Sequence, residues 1–349
     1  MLSFFSLFFC VQLGGVLLLK YGKKRLRTKV LQQTQKTTII IPFKNEKSRI
    51  LPLLNSINQS AITYKKSNLF RHFQFLFIDD HSTDGTSQFI IDNLDISYQI
   101  FKLKNTSGKK YAIKKGVEES KFERILTLDA DVSFKVDYLN VISKTGCKNL
   151  TILPVEMYGE SVLQNLFSME FWFLQYFTFG LAGFEKYELC NGANLLVTKK
   201  TFISALKVRT DSLMPSGDDM FLLKAVKELK LSITAIDSSA YCVYTPVATT
   251  FNSLLIQRLR WISKTKDVAP ILMGGIVLLS NSIFYISIFY ILNGDFYFVF
   301  PILLKIVSEL LVSNKPSKWF YVLLHQFYYP IYLIVIVLKL MRKQKMEWR

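Results

Sequence analysis

The pattern of apolar and polar positions divides the chain into long uncharged runs near its two ends and a mixed region between them. Residues 1–19 and 271–292 carry no charge, and residues 319–338 carry only one histidine. Each run is close to the roughly 20 residues that an α-helix needs to cross a bilayer. The pattern predicts an N-terminal anchor at residues 1–20 and a C-terminal membrane region at 270–341 with two or three helices.

A fourth apolar segment, residues 296–312, is a weaker candidate for a crossing because Lys305 and Glu309 interrupt it. These two residues lie four positions apart, so on a helix they could pair on one face. We expect this segment to lie at the membrane interface or to be re-entrant.

Short apolar runs alternate with helical stretches between residues 36 and 250, and this region predicts one water-facing α/β domain. The first apolar run, Thr38 to Ile41, is expected to stop at Pro42. A long aromatic stretch at 162–184 contains Glu170, and we expect helices packed in the domain or lying at the membrane surface. The predicted strands are 38–41, 73–78, 98–103, 124–128, 149–155 and 233–244, and the predicted helices of the first half are 46–58 and 109–121.

Polar clusters follow three of the predicted strands. They are Pro42 to Glu46, Asp79 to Ser82, and Asp129 to Asp131. In a parallel sheet covered on both faces, ligands bind beyond the carboxyl ends of the strands. The convergence of three polar strand ends therefore predicts a ligand site, whereas one such cluster would be ordinary loop chemistry.

Asp129 and Asp131 flank a single alanine at the end of an apolar run. A turn with solvated acids would explain the pair. A hard cation such as Mg²⁺ or Mn²⁺ would explain it too, because such ions take one or two protein carboxylates and complete their shell with phosphates and water.

Three further stretches carry candidate chemistry. Gly108 and Lys109 open a helix and could meet a diphosphate, although a solvated basic helix face is an equal alternative. Asp218 and Asp219 open another helix, either as N-terminal acids that favour the helix dipole or as a general base. Residues 251–267 form a basic amphipathic helix, which predicts an interfacial position before the next crossing.

Charge and cysteine content indicate which partners and which cellular compartment suit the protein. The net charge is +18, which suits an anionic leaflet or phosphate-bearing ligands. No nucleic-acid-binding module is recognised, so nucleic acid is not expected as a partner. The four cysteines have no paired spacing, which predicts neither zinc nor disulfides and suits a reducing cytoplasm.

The basic residues next to the first apolar run follow it rather than precede it. This order differs from a signal peptide and, by the positive-inside rule, places the domain in the cytoplasm. Three C-terminal crossings would instead put the basic tail outside, against the same rule. We therefore expect an integral protein of the inner or cell membrane, with the number of C-terminal crossings left open.

Taken together, the motifs resemble the family 2 glycosyltransferases of the GT-A fold over residues 37–265. The last motif, Gln-x-x-Arg-Trp, is similar to that of cellulose, hyaluronan and poly-N-acetylglucosamine synthases and ceramide glucosyltransferases. The matching stretches are IIIPFKNE (39–46), IDDHSTDGT (78–86), GKKYAIKKGV (108–117), LDADV (128–132), CNGANL (190–195), SGDDMFL (216–222) and QRLRW (257–261).

This resemblance implies an α/β, GT-A-type (Rossmann-like) mixed-sheet domain flanked by transmembrane helices. It also implies an inverting transfer of sugar from a UDP- or GDP-sugar to a lipid-linked or polysaccharide acceptor, with a divalent cation, Mg or Mn. The implied roles are nucleotide binding by Pro42, Glu46, Asp79, Asp80, Lys109 and Asp129, metal binding by Asp131 with Asp129, catalysis by Asp219 or Asp218, and acceptor and diphosphate binding by Gln257, Arg260 and Trp261.

Two departures from the family pattern leave alternatives open. Relatives often have Glu-Asp where this chain has Asp218-Asp219, so either acid could be the base. The chain is short for a processive synthase, so single transfer and polymerisation both remain. The alternatives from other classes are a non-catalytic membrane scaffold that binds a nucleotide-sugar, and a transporter component, which the few crossings disfavour.

Overall fold

The computed structural model describes residues 1–26, 31–208, 218–264, 270–313 and 318–341. The predicted helix end at 265–267, the motif residues Ser216 and Gly217 and the basic tail beyond Met341 lie outside these ranges.

Helices account for both ends of the described chain and alternate with strands between them. In chain order they are α1 (Leu2–Arg25), α2 (Leu51–Thr63), α3 (Thr86–Asn93), α4 (Lys109–Glu119), α5 (Tyr138–Ser143), α6 (Val162–Ala182), α7 (Lys199–Val208), α8 (Asp218–Glu228), α9 (Phe251–Lys264), α10 (Pro270–Leu292), α11 (Val299–Ser313) and α12 (Trp319–Met341).

Strands occur only between α1 and α9 in the part of the chain that the structure describes. They are β1 (Thr37–Phe43), β2 (Phe73–Asp79), β3 (Gln99–Lys102), β4 (Arg124–Leu128), β5 (Ser133–Phe134), β6 (Leu150–Ile152), β7 (Val155–Tyr158), β8 (Asn194–Thr198), β9 (Ile233–Ala235) and β10 (Val243–Pro246).

The chain divides into two compact units. A sheet unit comprises Leu26–Met157 and Glu185–Pro246. A helical unit comprises Met1–Arg25, Tyr158–Phe184 and Val247–Met346. The aromatic stretch that was expected to pack in the soluble domain or at the membrane surface is one helix, α6, and it belongs to the helical unit.

The sheet unit contains a seven-stranded mixed sheet in the order β3-β2-β1-β4-β8-β6-β9. Strands β3, β2, β1 and β4 run parallel, β8 is antiparallel to both β4 and β6, and β9 is parallel to β6. All residues of β1, β2, β4 and β8 are buried, as expected for a sheet covered on both faces. A second sheet has the order β5-β10-β7.

The predicted strand cores are confirmed, but two boundaries were wrong. Pro42 does not end β1; it pairs with Ile78 inside the ladder with β2. The ladder between β1 and β4 ends at Ile40, so Pro42 has no β4 residue opposite it. Proline is accommodated there because its missing N–H breaks no hydrogen bond to β4. The helix predicted at 46–58 instead begins at Leu51, with Pro52 in its first turn, where proline's missing N–H costs little.

The second half of the sheet departs more from the prediction. The run at 149–155 is two strands, because Leu153 and Pro154 separate β6 from β7. The run at 233–244 is likewise interrupted between β9 and β10. Strand β8 was not predicted, although its residues Leu195 to Val197 are apolar.

The helical unit has a buried aromatic and aliphatic cluster of Phe5, Phe9, Ile283 and Phe298. Among the described residues, three helical segments are long and apolar enough to cross a membrane: Leu2–Arg25, Phe296–Ser313 and Trp319–Ile336. The segment expected to be interfacial or re-entrant is therefore of spanning length. The predicted crossing at 271–292 is helical throughout, as part of α10.

Polar side chains join four helices of this unit. Lys305 and Glu309 of α11 pair as predicted from their spacing, with 2.6 Å between Nζ and Oε1, and both contact Gln326 of α12. On α1, Gln12 Nε2 donates to Ser308 Oγ at 2.8 Å, and Gln12 Oε1 accepts from Ser280 of α10 at 3.1 Å. These bonds place the charges of α11 inside the bundle.

Helices α1 and α6 touch backbone to backbone. A methyl group at Gly22 would lie 2.1 Å from the carbonyl oxygen of Gly180, and one at Gly183 would lie 1.9 Å from the carbonyl oxygen of Gly22. Just beyond this contact, Lys23 Nζ lies 4.8 Å from the centre of the Tyr176 ring. Small residues thus permit an approach that any side chain would prevent.

Replacing Gly22 with alanine is expected to destabilise the protein in detergent by about 1–3 kcal/mol, because a backbone carbonyl cannot move aside for the methyl group. Gly14→Ala is the matched control on the same helix, since no atom lies within 4 Å of its methyl position. That substitution should be neutral or slightly stabilising through helix propensity. Thermal unfolding of both variants measures the difference, and equal midpoints would contradict the close packing.

Candidate active site

Asp80 lies where the carboxyl ends of β1 and β2 meet. Its backbone N–H donates to the Phe43 carbonyl at 2.9 Å, and its carboxylate is fully buried. Oδ2 accepts from the Gly108 N–H at 2.9 Å and lies 3.9 Å from Lys44 Nζ. Gly108 has φ +117°, which disfavours any side chain, and it starts α4 against this acid. Asp80, the residue predicted to bind the nucleotide, is therefore a hydrogen-bond acceptor held in place at the N-terminus of α4.

Asp79, also predicted to bind the nucleotide, faces its own loop. Oδ1 accepts from the Ser82 N–H at 2.7 Å and Oδ2 from the Ser87 hydroxyl at 3.0 Å. Asp84 also acts within this loop, where it accepts from the Thr86 N–H, and Gly85, with φ +81°, is the residue before the helix. Asp79 therefore shapes the strand-to-helix connection that presents Asp80.

The carboxyl ends of β1 and β4 are joined by ion pairs. Lys109, the first residue of α4, pairs with Asp129. Arg49 NH2 contacts Glu46 Oε1 at 2.6 Å, and Arg49 NH1 lies 3.9 Å from Asp131 Oδ2. Sequence reasoning missed Arg49 because its loop was predicted as helix. Its position three residues after Glu46 was the available signal.

Burial changes the acidity of this cluster. It raises the pKa of Glu46 to about 7; Arg49 opposes the rise, while Asp131 and Asp129 add to it. Among the described residues, Glu46 Oε2 has no hydrogen-bond partner. The pKa of Asp131 is also raised, first by burial and then by the neighbouring Asp129 carboxylate. Three acids therefore share one confined region with Arg49 and Lys109.

The oxygen atoms at this strand end suit a divalent cation of the hard type. Within the described ranges, no cluster of three or more histidine, cysteine or acidic residues is arranged as a ready metal site. Mg²⁺ and Mn²⁺ do not require one, because they keep several waters and bind substrate phosphates through one or two protein carboxylates. Asp129 and Asp131 meet that lower requirement.

Asp219 is held next to the CNGANL stretch. Its Oδ2 accepts from the Gly192 N–H at 3.0 Å, and a methyl group at Gly192 would lie only 3.4 Å from its Cβ. The Gly192 carbonyl accepts from the Thr127 hydroxyl of β4 at 2.9 Å. Asp219 is thereby linked to β4, the strand that Asp129 and Asp131 follow.

Two further residues of the CNGANL stretch support this arrangement. Cys190 Sγ donates to the Asp219 carbonyl at 3.2 Å, and burial raises the pKa of its thiol, so the donor stays protonated. The fully buried Asn194 accepts from Tyr138 at 2.6 Å and donates to the carbonyls of Pro154 and Tyr241. Asn194 thus joins elements of the unit, a role that the motif alone did not indicate.

The sheet unit therefore brings Asp80, Lys109, Asp129, Asp131 and Asp219 to the strand ends of β1, β2, β4 and β8. Pro42 lies at the same edge within β1. The side chain of Asp218 lies outside the described part of the chain, so the choice between the two acids stays a prediction.

Gln257, Arg260 and Trp261 lie on α9 in the helical unit. Gln257 Oε1 accepts from Arg258 NH1 at 2.9 Å, and the Trp261 ring centre lies 5.6 Å from that of Phe171. Their predicted roles at the acceptor and diphosphate remain predictions. Sequence reasoning treated Arg258 only as a surface charge and missed its pairing with Glu170.

Part of the chain, which includes segments of both units, is similar to known sequences. Residues 38–181 match the family described as "Glycosyl transferase family 2". A dolichyl-phosphate beta-glucosyltransferase of Trichomonas vaginalis is 29% identical over 123 residues, which is 34% of this chain and 36% of that protein. A second, from Dictyostelium discoideum, is 28% identical over 98 residues, 27% of this chain and 30% of that protein. The chain thus spans about a third of these relatives.

Comparison with solved structures covers the whole chain. The mannosyltransferase PcManGT from Pyrobaculum calidifontis, solved with GDP-Man and Mn²⁺, matches with a TM-score of 0.57 and 13% identity. The match covers 99% of this chain and 100% of that one. At this identity the similarity shows the fold, and it confirms the predicted mixed α/β sheet domain of GT-A type with apolar helices.

Proposed function

We propose, from the match of residues 38–181 to glycosyl transferase family 2, that the protein is a membrane-bound inverting glycosyltransferase. It would transfer a sugar from a nucleotide-sugar to a lipid-linked acceptor, with a polysaccharide as the alternative. The single observation that carries the proposal is the meeting of acid-bearing strand ends with Lys44, Arg49 and Lys109 at one edge of the sheet.

The donor would lie across this edge. A nucleobase N–H would donate to Asp80, which is already fixed by the Gly108 N–H. The diphosphate would lie near the start of α4, where backbone N–H groups and Lys109 favour negative charge. Lys109 now pairs with Asp129 and would exchange that partner for phosphate oxygens. Glu46 and Pro42 would border the nucleotide.

A divalent cation, Mg²⁺ or Mn²⁺, would be held by Asp131 and Asp129. When bound, it would neutralise charge on the departing diphosphate. The carboxylate pair fits such an ion by its donor atoms. The mannosyltransferase of the same fold was solved with Mn²⁺, which supports the same class of ion here.

Asp219 would act as the base. In the transfer, the acceptor oxygen forms a bond to the anomeric carbon as that carbon's bond to the diphosphate oxygen breaks, and the diphosphate leaves with the electron pair. Any proton on the acceptor oxygen passes to Asp219. The Gly192 N–H and the Met220 N–H hold its two oxygens at 3.0 and 2.9 Å, which fixes the direction of the carboxylate.

The acceptor is proposed to be a lipid phosphate, and the domain to face the cytoplasm. Two sequence relatives are named dolichyl-phosphate beta-glucosyltransferases, which supports a phosphate on a long isoprenoid. Three helical segments long and apolar enough to cross a membrane support an acceptor that resides in the membrane. The cluster Lys23, Lys24 and Arg25 at the end of α1 favours an orientation with that end at the cytoplasmic face. Gln257, Arg260 and Trp261 would bind the acceptor or diphosphate.

A donor panel tests this function. The purified full chain in detergent is supplied with UDP-glucose, UDP-N-acetylglucosamine or GDP-mannose, Mg²⁺ or Mn²⁺, and a short polyprenyl phosphate. We expect one donor to be consumed and the lipid product to gain one sugar by mass, with loss of activity in chelator and in Asp131→Asn. Donor binding by calorimetry without turnover would favour the scaffold alternative, and neither binding nor turnover would overturn the proposal.

A further inference from the structure

Arg258 occupies the second position of the stretch Gln257 to Trp261 and contacts two of its predicted functional side chains. Its NH1 donates to Gln257 Oε1 at 2.9 Å, and its Cζ lies 4.1 Å from the centre of the Trp261 ring. Arg258 is 2% exposed, so it is a buried cation rather than a surface charge. One side chain therefore governs the placement of two others.

Helix α6 contacts this cation directly, and α12 contacts its partner Glu170. Arg258 Nε donates to Glu170 Oε2 at 2.6 Å, and NH2 donates to the Phe167 carbonyl at 3.1 Å. The Tyr332 hydroxyl of α12 donates to the same Glu170 oxygen at 2.9 Å. Every nitrogen of the guanidinium has a partner, and the partners come from two elements of the helical unit, α6 and α9.

Packing alone does not explain this network. A buried ion pair usually contributes little to stability compared with apolar residues of similar volume. A planar guanidinium does supply direction: it bonds Gln257 in its plane while its face covers Trp261. Because Gln257 Oε1 accepts from Arg258, the guanidinium fixes the orientation of this amide.

We propose that Arg258 and Glu170 are positioning residues, which set the amide of Gln257 and the ring of Trp261 for the acceptor. This rests on the proposed function, and it concerns the acceptor rather than the donor. Disturbing the network should reduce kcat/KM for the acceptor and leave the affinity for the nucleotide-sugar unchanged.

Arg258→Lys tests the direction of the contact while the charge is kept. Lysine can pair with Glu170 but cannot bond Gln257 and cover Trp261 at the same time. We expect kcat/KM for the polyprenyl phosphate to fall about 10- to 100-fold, as misplaced substrate-contacting groups do. The dissociation constant of the donor, measured by calorimetry, should stay within about twofold, because the residues assigned to the donor belong to the sheet unit and the network belongs to the helical unit.

Two tyrosines on α12 provide a matched pair. Tyr332→Phe removes the hydroxyl bonded to Glu170, whereas Tyr328→Phe removes a buried hydroxyl that has no hydrogen-bond partner among the described residues. Their rings stack 5.7 Å apart, so both substitutions disturb the same packing. We expect Tyr332→Phe to lower acceptor kcat/KM about tenfold and Tyr328→Phe to leave it unchanged.

A double variant separates positioning from folding. Arg258→Gln alone leaves Glu170 without its cation and should lower the unfolding midpoint. Adding Glu170→Gln removes the unpaired charge and should recover most of the midpoint, but not acceptor use. Recovery of both together would reduce the pair to a structural contact and overturn the inference, as would wild-type acceptor kinetics in Arg258→Lys. A wild-type protein that consumes no donor would instead contradict the proposed function.

Discussion

Asp219→Asn is expected to reduce sugar transfer by about 10²–10⁴-fold under conditions where the acceptor carries a proton, the range typical of a lost general base. Asparagine is nearly isosteric and can still accept from the Gly192 or the Met220 N–H, so donor binding and the unfolding midpoint should change little. Transfer kinetics with the accepted donor, together with calorimetry of donor binding, measure both quantities.

The pH dependence of this loss identifies the acceptor. A phosphate monoester loses its second proton near pH 6, by analogy with phosphorylated side chains. With a lipid phosphate, the deficit of Asp219→Asn should therefore be large at pH 5.5 and shrink at least tenfold by pH 8, since the acceptor then arrives deprotonated. A hydroxyl acceptor keeps its proton throughout, so its deficit would persist.

Asp92→Asn is the matched control for this variant. Asp92 is an exposed acid on α3 of the same unit. Among the described contacts, its carboxylate accepts one hydrogen bond, from Gln88 Nε2 at 2.8 Å. Its replacement should leave transfer unchanged. If Asp219→Asn transferred sugar as fast as Asp92→Asn at every pH, Asp219 would only stabilise the loop that contains Gly192 and would take no part in the reaction.

The strand ends were predictable because their signal is local. Runs such as Phe73 to Ile78 are too apolar for a half-exposed strand, and an acid directly after such a run is conspicuous. The order of the motifs then indicated that the acids of β2 and β4 would share an edge. The pairing of Asp80 with Gly108 and of Lys109 with Asp129 agrees with this expectation.

The second half of the sheet was not predictable in the same way. Strand β8 runs antiparallel between β4 and β6, and its pairing partners lie far from it in sequence. Its first residue, Asn194, is polar and fully buried because three distant groups satisfy it. No periodicity within the strand contains that information.

Arg49 and Arg258 show a related limit. Arg49 fell within a stretch predicted as helix, and Arg258 was one of several charges on an amphipathic helix. Each connects predicted functional residues: Arg49 links Glu46 with Asp131, and Arg258 links Gln257 with Trp261. The sequence shows that a charged side chain must be either solvated or paired. It does not reveal which partner the tertiary fold supplies.

Replacing Lys305 with methionine is expected to destabilise the protein by about 3–5 kcal/mol, the usual result when one member of a buried ion pair is removed. Lys305 is 2% exposed, and its ammonium group contacts Glu309 and Gln326. The substitution leaves the Glu309 carboxylate inside an apolar helix bundle, where Gln326 is its remaining hydrogen-bond partner among the described residues. Denaturant unfolding in detergent measures the change.

The sheet unit offers a matched exposed pair for comparison. Lys114 and Glu118 on α4 have the same spacing of four residues, lie 3.9 Å apart and are 52% and 55% exposed. Lys114→Met should therefore cost no more than about 0.5 kcal/mol. A similar small cost for Lys305→Met would mean that the bundle admits water at Lys305.

The double variant Lys305→Met/Glu309→Met should be more stable than either single variant, because no charge is then left unpaired and two apolar side chains fill the space. Gln326 would retain its bond to the Val322 carbonyl at 2.9 Å. Such a recovery would show that Lys305 and Glu309 neutralise each other's charge inside the bundle but add little net stability to the fold. It would also explain how a segment with two charges can have spanning length: α11 turns both charges toward Gln326 and leaves Phe300, Leu303 and Val307 exposed on its outer surface.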